Sequence, residues 1–239
     1  MGYVDPVLDM KVLRDINAGR EVFYNFLSRS YQAEVDDEYL EMLVSLMPYI
    51  ENITSQAEVE TLKTGGKLLT EFVNRLNGLN TEAKEELLLD LARDFAYLFL
   101  TGVKSVPTCG SVYLSPEHLV KQEPYARVLR MYRAIGFQVP RDFKEPEDHI
   151  AMQLKFMAVL SQLIGGAIDA KDAENARRLL GFQQRFLKEH LNKWVPLFCH
   201  LLIRAAEGRD FYQAIGYLTE GFLSMDYEFM RHEMLPVGG

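Results

Sequence analysis

Residues 145–149 read Glu-Pro-Glu-Asp-His and run directly into an apolar helical pattern through Met157. Three carboxylates and an imidazole within five residues can do two kinds of chemistry. Carboxylates pair bidentately with guanidinium, so Glu145, Glu147 and Asp148 can read arginines in a peptide. His149, with an ordinary pKa of about 6.5, can bond or gate such a pocket, or form an acid–base pair with Asp148. A purely structural use is also open. Acids at a helix start complement the helix dipole, by about 0.3–1 kcal/mol each. Upstream, residues 109–114 read Cys-Gly-Ser-Val-Tyr-Leu. Cys109 and Ser111, set beside His149, are the one arrangement here that suits nucleophilic catalysis.

Other chemistries lack their residues. A di-iron bundle wants paired Glu-x-x-His motifs on facing helices, and zinc sites want His-Glu-x-x-His or paired Cys-x-x-Cys. His118, His149, His190, His200 and His232 are scattered instead, and Pro196 spoils any alignment of His190 with His200. Thr64-Gly65-Gly66-Lys67 is followed by Leu68 and lacks the Walker spacing. No metal and no cofactor are expected. The net charge of −8 disfavours nucleic acid and anionic membrane, and mildly favours cationic partners. Cys109 and Cys199 form no framework, so reduced thiols in a cytoplasmic protein are expected. The first fifteen residues carry Asp5, Asp9 and Lys11, unlike a secretory signal. No stretch approaches the roughly 18 uncharged apolar residues of a membrane span. The basic run Arg127, Arg130, Arg133 and the acids Glu82, Glu85, Glu86, Asp90 and Asp94 read as solvated faces.

The elements that position these residues are helices nearly throughout. Periodic apolar residues predict helices over 12–31, 37–47 (ended by Pro48), 57–76 (closed by Asn77-Gly78) and 82–100 (capped by Thr81). The pattern breaks over 101–119, where glycines and prolines predict an ordered loop or a short extended piece. A helix follows over 124–135, ended by Gly136, and then a second break at 138–144. Pro146 suits the first turn of the next helix, which carries apolar residues on two faces and should be central. Asp169 or Asp172 starts a helix running to His190, with a kink or break expected at Pro196 near Trp194. Asp210 and Gln213 have capping-box spacing for a last helix. The sum is an all-α, single globular domain over residues 1–239, of about nine or ten helices, with a candidate subdomain break at 101–119.

Three segments resemble the TorD/DmsD/NarJ family of molybdoenzyme maturation chaperones. They are Arg93-Asp-Phe-Ala-Tyr-Leu-Phe99, Gly110-Ser-Val-Tyr-Leu114, and Glu145-Pro-Glu-Asp-His-Ile150 running into Gln153-Leu-Lys-Phe-Met157. A weaker fourth is His190-Leu-Asn-Lys-Trp194 followed by Phe211-Tyr212. Their order and spacing are similar to the DmsD and TorD forms in particular.

The resemblance implies no catalytic turnover. It implies a cytoplasmic chaperone that binds the twin-arginine signal peptide of a molybdopterin-containing oxidoreductase and holds back export until the cofactor is inserted. It carries the binding role onto Phe95, Leu98, Phe99, Gly110, Ser111, Tyr113, Glu145, Pro146, Asp148 and His149. Physically, acids would meet the arginines, and the aromatic and leucine side chains would line a groove for the apolar remainder of the leader. Two other readings stay open: a helical enzyme using Asp148 and His149, and a NarJ-like adaptor on a non-exported catalytic subunit. Monomer and domain-swapped dimer are both open, with 101–119 and 138–144 as candidate hinges. The client, a dimethyl sulfoxide, trimethylamine oxide, nitrate or other reductase, is likewise open.

Overall fold

The structure, a computed structural model, describes residues 10–100 and 105–232. The first nine residues of the N-terminal stretch lie outside the described residues, as does Gly102 with the first four positions of the 101–119 break. Within them run ten α-helices: α1 (Met10–Gln32), α2 (Asp37–Gln56), α3 (Glu60–Leu76), α4 (Thr81–Phe95), α5 (Gly110–Leu114), α6 (Glu123–Ala134), α7 (Ile150–Asp169), α8 (Ala173–Phe186), α9 (Asn192–Ala205) and α10 (Asp210–His232). A π-helical turn, Ala96–Leu100, continues α4, and another, Leu187–Leu191, joins α8 to α9. The all-α expectation holds.

Helix α7 is the centre of the fold, packed chiefly on α1 and α8. Ile150, Leu154, Phe156, Met157, Leu160 and Ile164 are fully buried because its apolar residues occupy two faces, while Leu163 reaches solvent. By length and composition α7 is apolar enough to cross a membrane, although Gln153, Lys155 and Gln162 interrupt it, so it is not a run of uncharged apolar residues. However, 72% of that stretch is buried inside the fold, as expected of a core helix. Helix α10 packs on α3 and α9.

Several boundaries depart from expectation for physical reasons. Pro48 lies inside α2 rather than ending it. Pro48 and Val44 are both exposed, so the carbonyl that loses its partner lies on the wet side of the helix. The same holds at Pro196, which is exposed inside a continuous α9. The irregularity expected there falls one turn earlier, as the π-helical turn. Helix α3 begins at Glu60 rather than residue 57. Asn80, not Thr81, caps α4, its side chain accepting from the Ala83 amide at 2.9 Å. Asp172 rather than Asp169 caps α8, and Asp169 instead pairs with Arg14 at 3.0 Å. Asp210 is the first residue of α10 and bonds Arg75 at 2.7 Å, so no capping box forms with Gln213. Gly136 and Gly208 close α6 and α9 with φ of 74° and 79°, which glycine adopts without strain.

Candidate functional site

Two of the motif segments meet. Cys109 and His149 form an antiparallel backbone bridge, the only strand-like pairing among the described residues. The Ile150 amide donates to Thr108 O at 2.7 Å and the Gly110 amide to Asp148 O at 3.1 Å. Residues 110–114 are therefore not the loop or extended piece expected from their glycine and serine, but a single helical turn, α5. A five-residue helix cannot sustain itself. The Asp148 carboxylate stabilises it from 37 residues away, accepting from the Ser111 amide at 2.7 Å at the turn's positive end. Gln153 secures the same corner by donating from Nε2 to Asp148 O at 2.7 Å.

Pro146 is not the first turn of α7, contrary to expectation. It sits in a turn closed by the His149 amide on its carbonyl at 3.0 Å, and His149 is the cap, with Nδ1 accepting from the Ala151 amide at 3.2 Å. Asp148 and His149 are only 1% and 5% exposed, which places them inside the fold rather than on a wet anionic surface. Glu145 is exposed, and Glu147 is half-buried, with Oε2 accepting from the Tyr125 hydroxyl at 2.6 Å. The Tyr132 hydroxyl donates to Glu147 O at 3.1 Å. Of the four charged or titratable groups expected to form a pocket, two are at the surface and two organise it from below.

Electrostatics follow burial. Desolvation raises the Asp148 carboxyl above its usual range, opposed by Ser111, whose amide donates to it. Burial, with Asp148 nearby, pushes the Cys109 thiol up to about 12, so it stays protonated at neutral pH and is a poor nucleophile. Burial also lowers His149 to about 4. With Nδ1 spent on the helix cap, His149 is badly placed as a general base for Cys109 or Ser111. Desolvation lowers His190 to about 4 as well.

A pH prediction follows from these two imidazoles. Each binds its proton less tightly folded than unfolded. The stability this reflects is fully present above about pH 6.5 and is lost as pH falls towards 4. For His149 alone the loss amounts to about 3 kcal/mol by pH 4. Melting temperature measured from pH 7 to pH 4 should fall steeply for the wild type. The fall should be shallower for His149→Asn, which keeps a capping side chain that does not titrate. Equal slopes would contradict the assignment.

The third motif segment stands beside the first two. Phe95 and Leu98 are buried and Phe99 is half-buried, across the end of α4 and its π-helical turn. The Leu98 carbonyl accepts from the Val106 amide at 2.8 Å, tying the turn to the strand-like residues that lead into α5. Aromatic rings bridge the rest. Phe95 meets Phe99 at 5.2 Å between ring centroids, Phe99 meets Tyr31 at 6.0 Å, and Tyr31 meets Phe198 at 5.5 Å. Phe198 meets Tyr113 at 6.5 Å, and Tyr113 meets Trp194 at 5.2 Å. The half-buried Tyr113 donates its hydroxyl to Pro107 O at 2.7 Å. Leu100, Leu197 and Leu201 on the π-helical turn and α9 are exposed.

Gly110 belongs to this packing: a Cβ there would stand 2.9 Å from Gln153 Nε2 and 3.1 Å from Trp194 Nε1. Asp148 Oδ1, Gln153 Oε1 and Trp194 Nε1 are buried there without hydrogen-bond partners among the described residues. Sequence reasoning quoted Gln153 and Trp194 only as parts of motifs. It had no signal at all for Tyr125 and Tyr132, which reach the acidic segment from α6. On that helix Arg127 and Arg130 both pair with Glu123, at 2.9 and 3.4 Å, as a solvated face should.

Comparison with known proteins agrees with this grouping. The model of the nitrate reductase delta subunit family matches residues 60–200. "Chaperone protein TorD" of Vibrio atlanticus is 28% identical over 228 residues, covering 94% of this chain and 100% of that protein. The protein of the same name from Aliivibrio fischeri is 28% identical over 227 residues, 94% of this chain and 100% of its own. That from Photobacterium profundum is 32% identical over 163 residues, 68% of this chain and 73% of its own. The matched span contains α5, the acidic segment and α7, the elements that build the site, and on these grounds the chain belongs to the nitrate reductase delta subunit family, the TorD/DmsD/NarJ family that its motif segments resemble.

Proposed function

We propose that the protein is a maturation chaperone for a molybdoenzyme, without catalytic turnover, and that it binds the twin-arginine leader of that client in the cytoplasm before export. Supporting the chaperone reading is the name its curated relatives carry along almost their whole length. One observation carries the leader reading: the joining of the Gly110–Leu114 turn to the 145–149 segment through Asp148, which ties the segment carrying Glu145 and Glu147 to the turn carrying Tyr113. Glu145 and Glu147 meet the guanidiniums. Asp148, His149, Gly110, Ser111 and Pro146 hold the acidic segment in shape. Tyr113, Phe99, Leu98 and Phe95, continued by the exposed Leu100, Leu197 and Leu201, support the apolar part of the leader.

The test is charge removal that leaves the fold alone. Glu145→Gln with Glu147→Gln should weaken leader binding at least tenfold, because charge-assisted hydrogen bonds are worth about 1.5–3 kcal/mol. Glutamine at 147 retains an oxygen for Tyr125, so melting should be unchanged. Unaltered affinity in the double variant would count against the assignment. A second reading has one observation in its favour, the matching family model being that of a nitrate reductase delta subunit. Under it the chain grips the body of a catalytic subunit, and deleting the client's N-terminus leaves binding intact.

A further inference from the structure

Glu145 and Glu147 are not equivalent acceptors. Glu145 is exposed, and its carboxylate makes no hydrogen bond or ion pair among the described residues. Glu147 is held at both ends by α6. The Tyr125 hydroxyl donates to Oε2 of its carboxylate at 2.6 Å, and the Tyr132 hydroxyl donates to its backbone carbonyl at 3.1 Å. The two tyrosines stand about two helical turns apart, so they share a face of α6 with the buried Val128. Tyr132 is anchored in turn. It is 2% exposed, and its ring lies 4.7 Å from that of Phe156 on the central helix α7. The core therefore sets where the Tyr125 hydroxyl stands.

The Tyr125 bond fixes a direction without using up the carboxylate. A carboxylate offers about four acceptor sites on its two oxygens, so a single hydroxyl leaves sites on both. Burial, with the Glu147 carboxylate nearby, pushes the Tyr125 phenol up to about 12, so it remains a donor at neutral pH. No described cation pairs with Glu147, and Arg127 and Arg130 of α6 are both held by Glu123.

Orientation matters to one cation and not to another. A guanidinium is planar and pairs with a carboxylate through two parallel bonds, which requires the two planes to align. An ammonium is a compact charge with rotatable donors, and it meets a carboxylate in any orientation. A free glutamate must give up rotamer freedom to pair, whereas Glu147 has given up part of it before the ligand arrives. We propose that Tyr125 is a positioning residue of the leader site, orienting the Glu147 carboxylate so that it selects arginine over lysine. Glu145, unrestrained, supplies charge alone. The inference rests on the leader-binding reading and adds to it the origin of the site's selectivity.

The experiment is calorimetric titration of the full chain with twin-arginine leader peptides from candidate molybdoenzymes and with the same peptides carrying Lys-Lys. The proteins are the wild type, Tyr125→Phe, Glu145→Gln, Glu147→Ala and the double variant Tyr125→Phe with Glu147→Ala, each checked for folding by its melting temperature. Phenylalanine keeps the ring and removes only the hydroxyl. The expected result is a wild type that prefers the arginine peptide by about tenfold or more. In Tyr125→Phe, arginine binding should weaken roughly fivefold and lysine binding less than about twofold. Glu145→Gln should weaken both peptides alike and leave their ratio unchanged. Without Glu147, Tyr125→Phe should have no further effect, because the hydroxyl acts only through that carboxylate. A wild type that binds both peptides equally, or an unchanged ratio in Tyr125→Phe, overturns the inference while leader binding stands. So does a cost of Tyr125→Phe that persists in Glu147→Ala, which would make the hydroxyl a direct contact. Failure of the wild type to bind any leader removes both readings.

Discussion

Replacing Asp226 with alanine should destabilise the protein by about 3–5 kcal/mol, the largest loss expected from a single charged side chain here. Asp226 and Arg20 are 2% and 4% exposed. Arg20 donates from Nε to one carboxylate oxygen at 2.6 Å and from Nη2 to the other at 2.9 Å. The Tyr24 hydroxyl adds a third bond at 2.5 Å, and Asn17 Oδ1 accepts from Arg20 Nη1 at 2.9 Å. This network pins α1 to α10 across the whole length of the chain. Once the carboxylate is removed, a guanidinium remains in an interior where no described acid replaces it. Replacing both partners with apolar residues of similar size, Arg20→Met with Asp226→Leu, removes the stranded charge and should recover most of the loss. Urea denaturation of the two singles and the double measures this. A single variant within about 1 kcal/mol of the wild type would show that the pair is better hydrated than its burial indicates.

Gly221→Ala should cost about 3 kcal/mol through close backbone contact rather than charge. Helices α3 and α10 cross with a glycine on each side. A Cβ at Gly221 would strike the Leu62 backbone nitrogen and Cα, and one at Gly65 would stand 2.7 Å from the Leu218 backbone nitrogen. Backbone atoms cannot swing aside as a long side chain can, so relief requires the helices to separate and open the core around Leu62 and Leu218, both 0% exposed. Gly181 is the internal control. It lies within α8, where a Cβ would meet nothing within 4 Å, so Gly181→Ala should stabilise by about 0.5–1 kcal/mol from helix propensity alone. Thermal melting of the pair, one falling and one rising, separates close packing from propensity. Two changes of the same sign would contradict the crossing geometry.

What the sequence discloses about the fold depends on how local the cause is. The two apolar faces of α7, a helix start at Asp169 or Asp172 and the Gly136 closure arise within one or two turns and were legible, the choice of Asp172 excepted. Pro48 and Pro196 misled because their effect depends on whether the freed carbonyl faces water, a tertiary fact. Residues 110–114 misled because the carboxylate that stabilises their helical turn is contributed by Asp148, far along the chain. The proposed site divides in the same way. A run of acids next to an aromatic-rich segment can be read from the string, but its division between surface and interior cannot. Glu145 and Asp148 stand three positions apart, yet one is exposed and the other buried beneath α5.

The most direct measurement is calorimetric titration of the purified protein with twin-arginine leader peptides from candidate molybdoenzymes, each beside the same peptide carrying Ala-Ala for Arg-Arg. Saturable binding that falls at least tenfold on loss of the arginines is the expected result, and it would also point to the client. Binding indifferent to the arginines, or none at all while the full catalytic subunit is still captured, would contradict the leader site at Glu145 and Glu147 and favour an adaptor that grips the client's body.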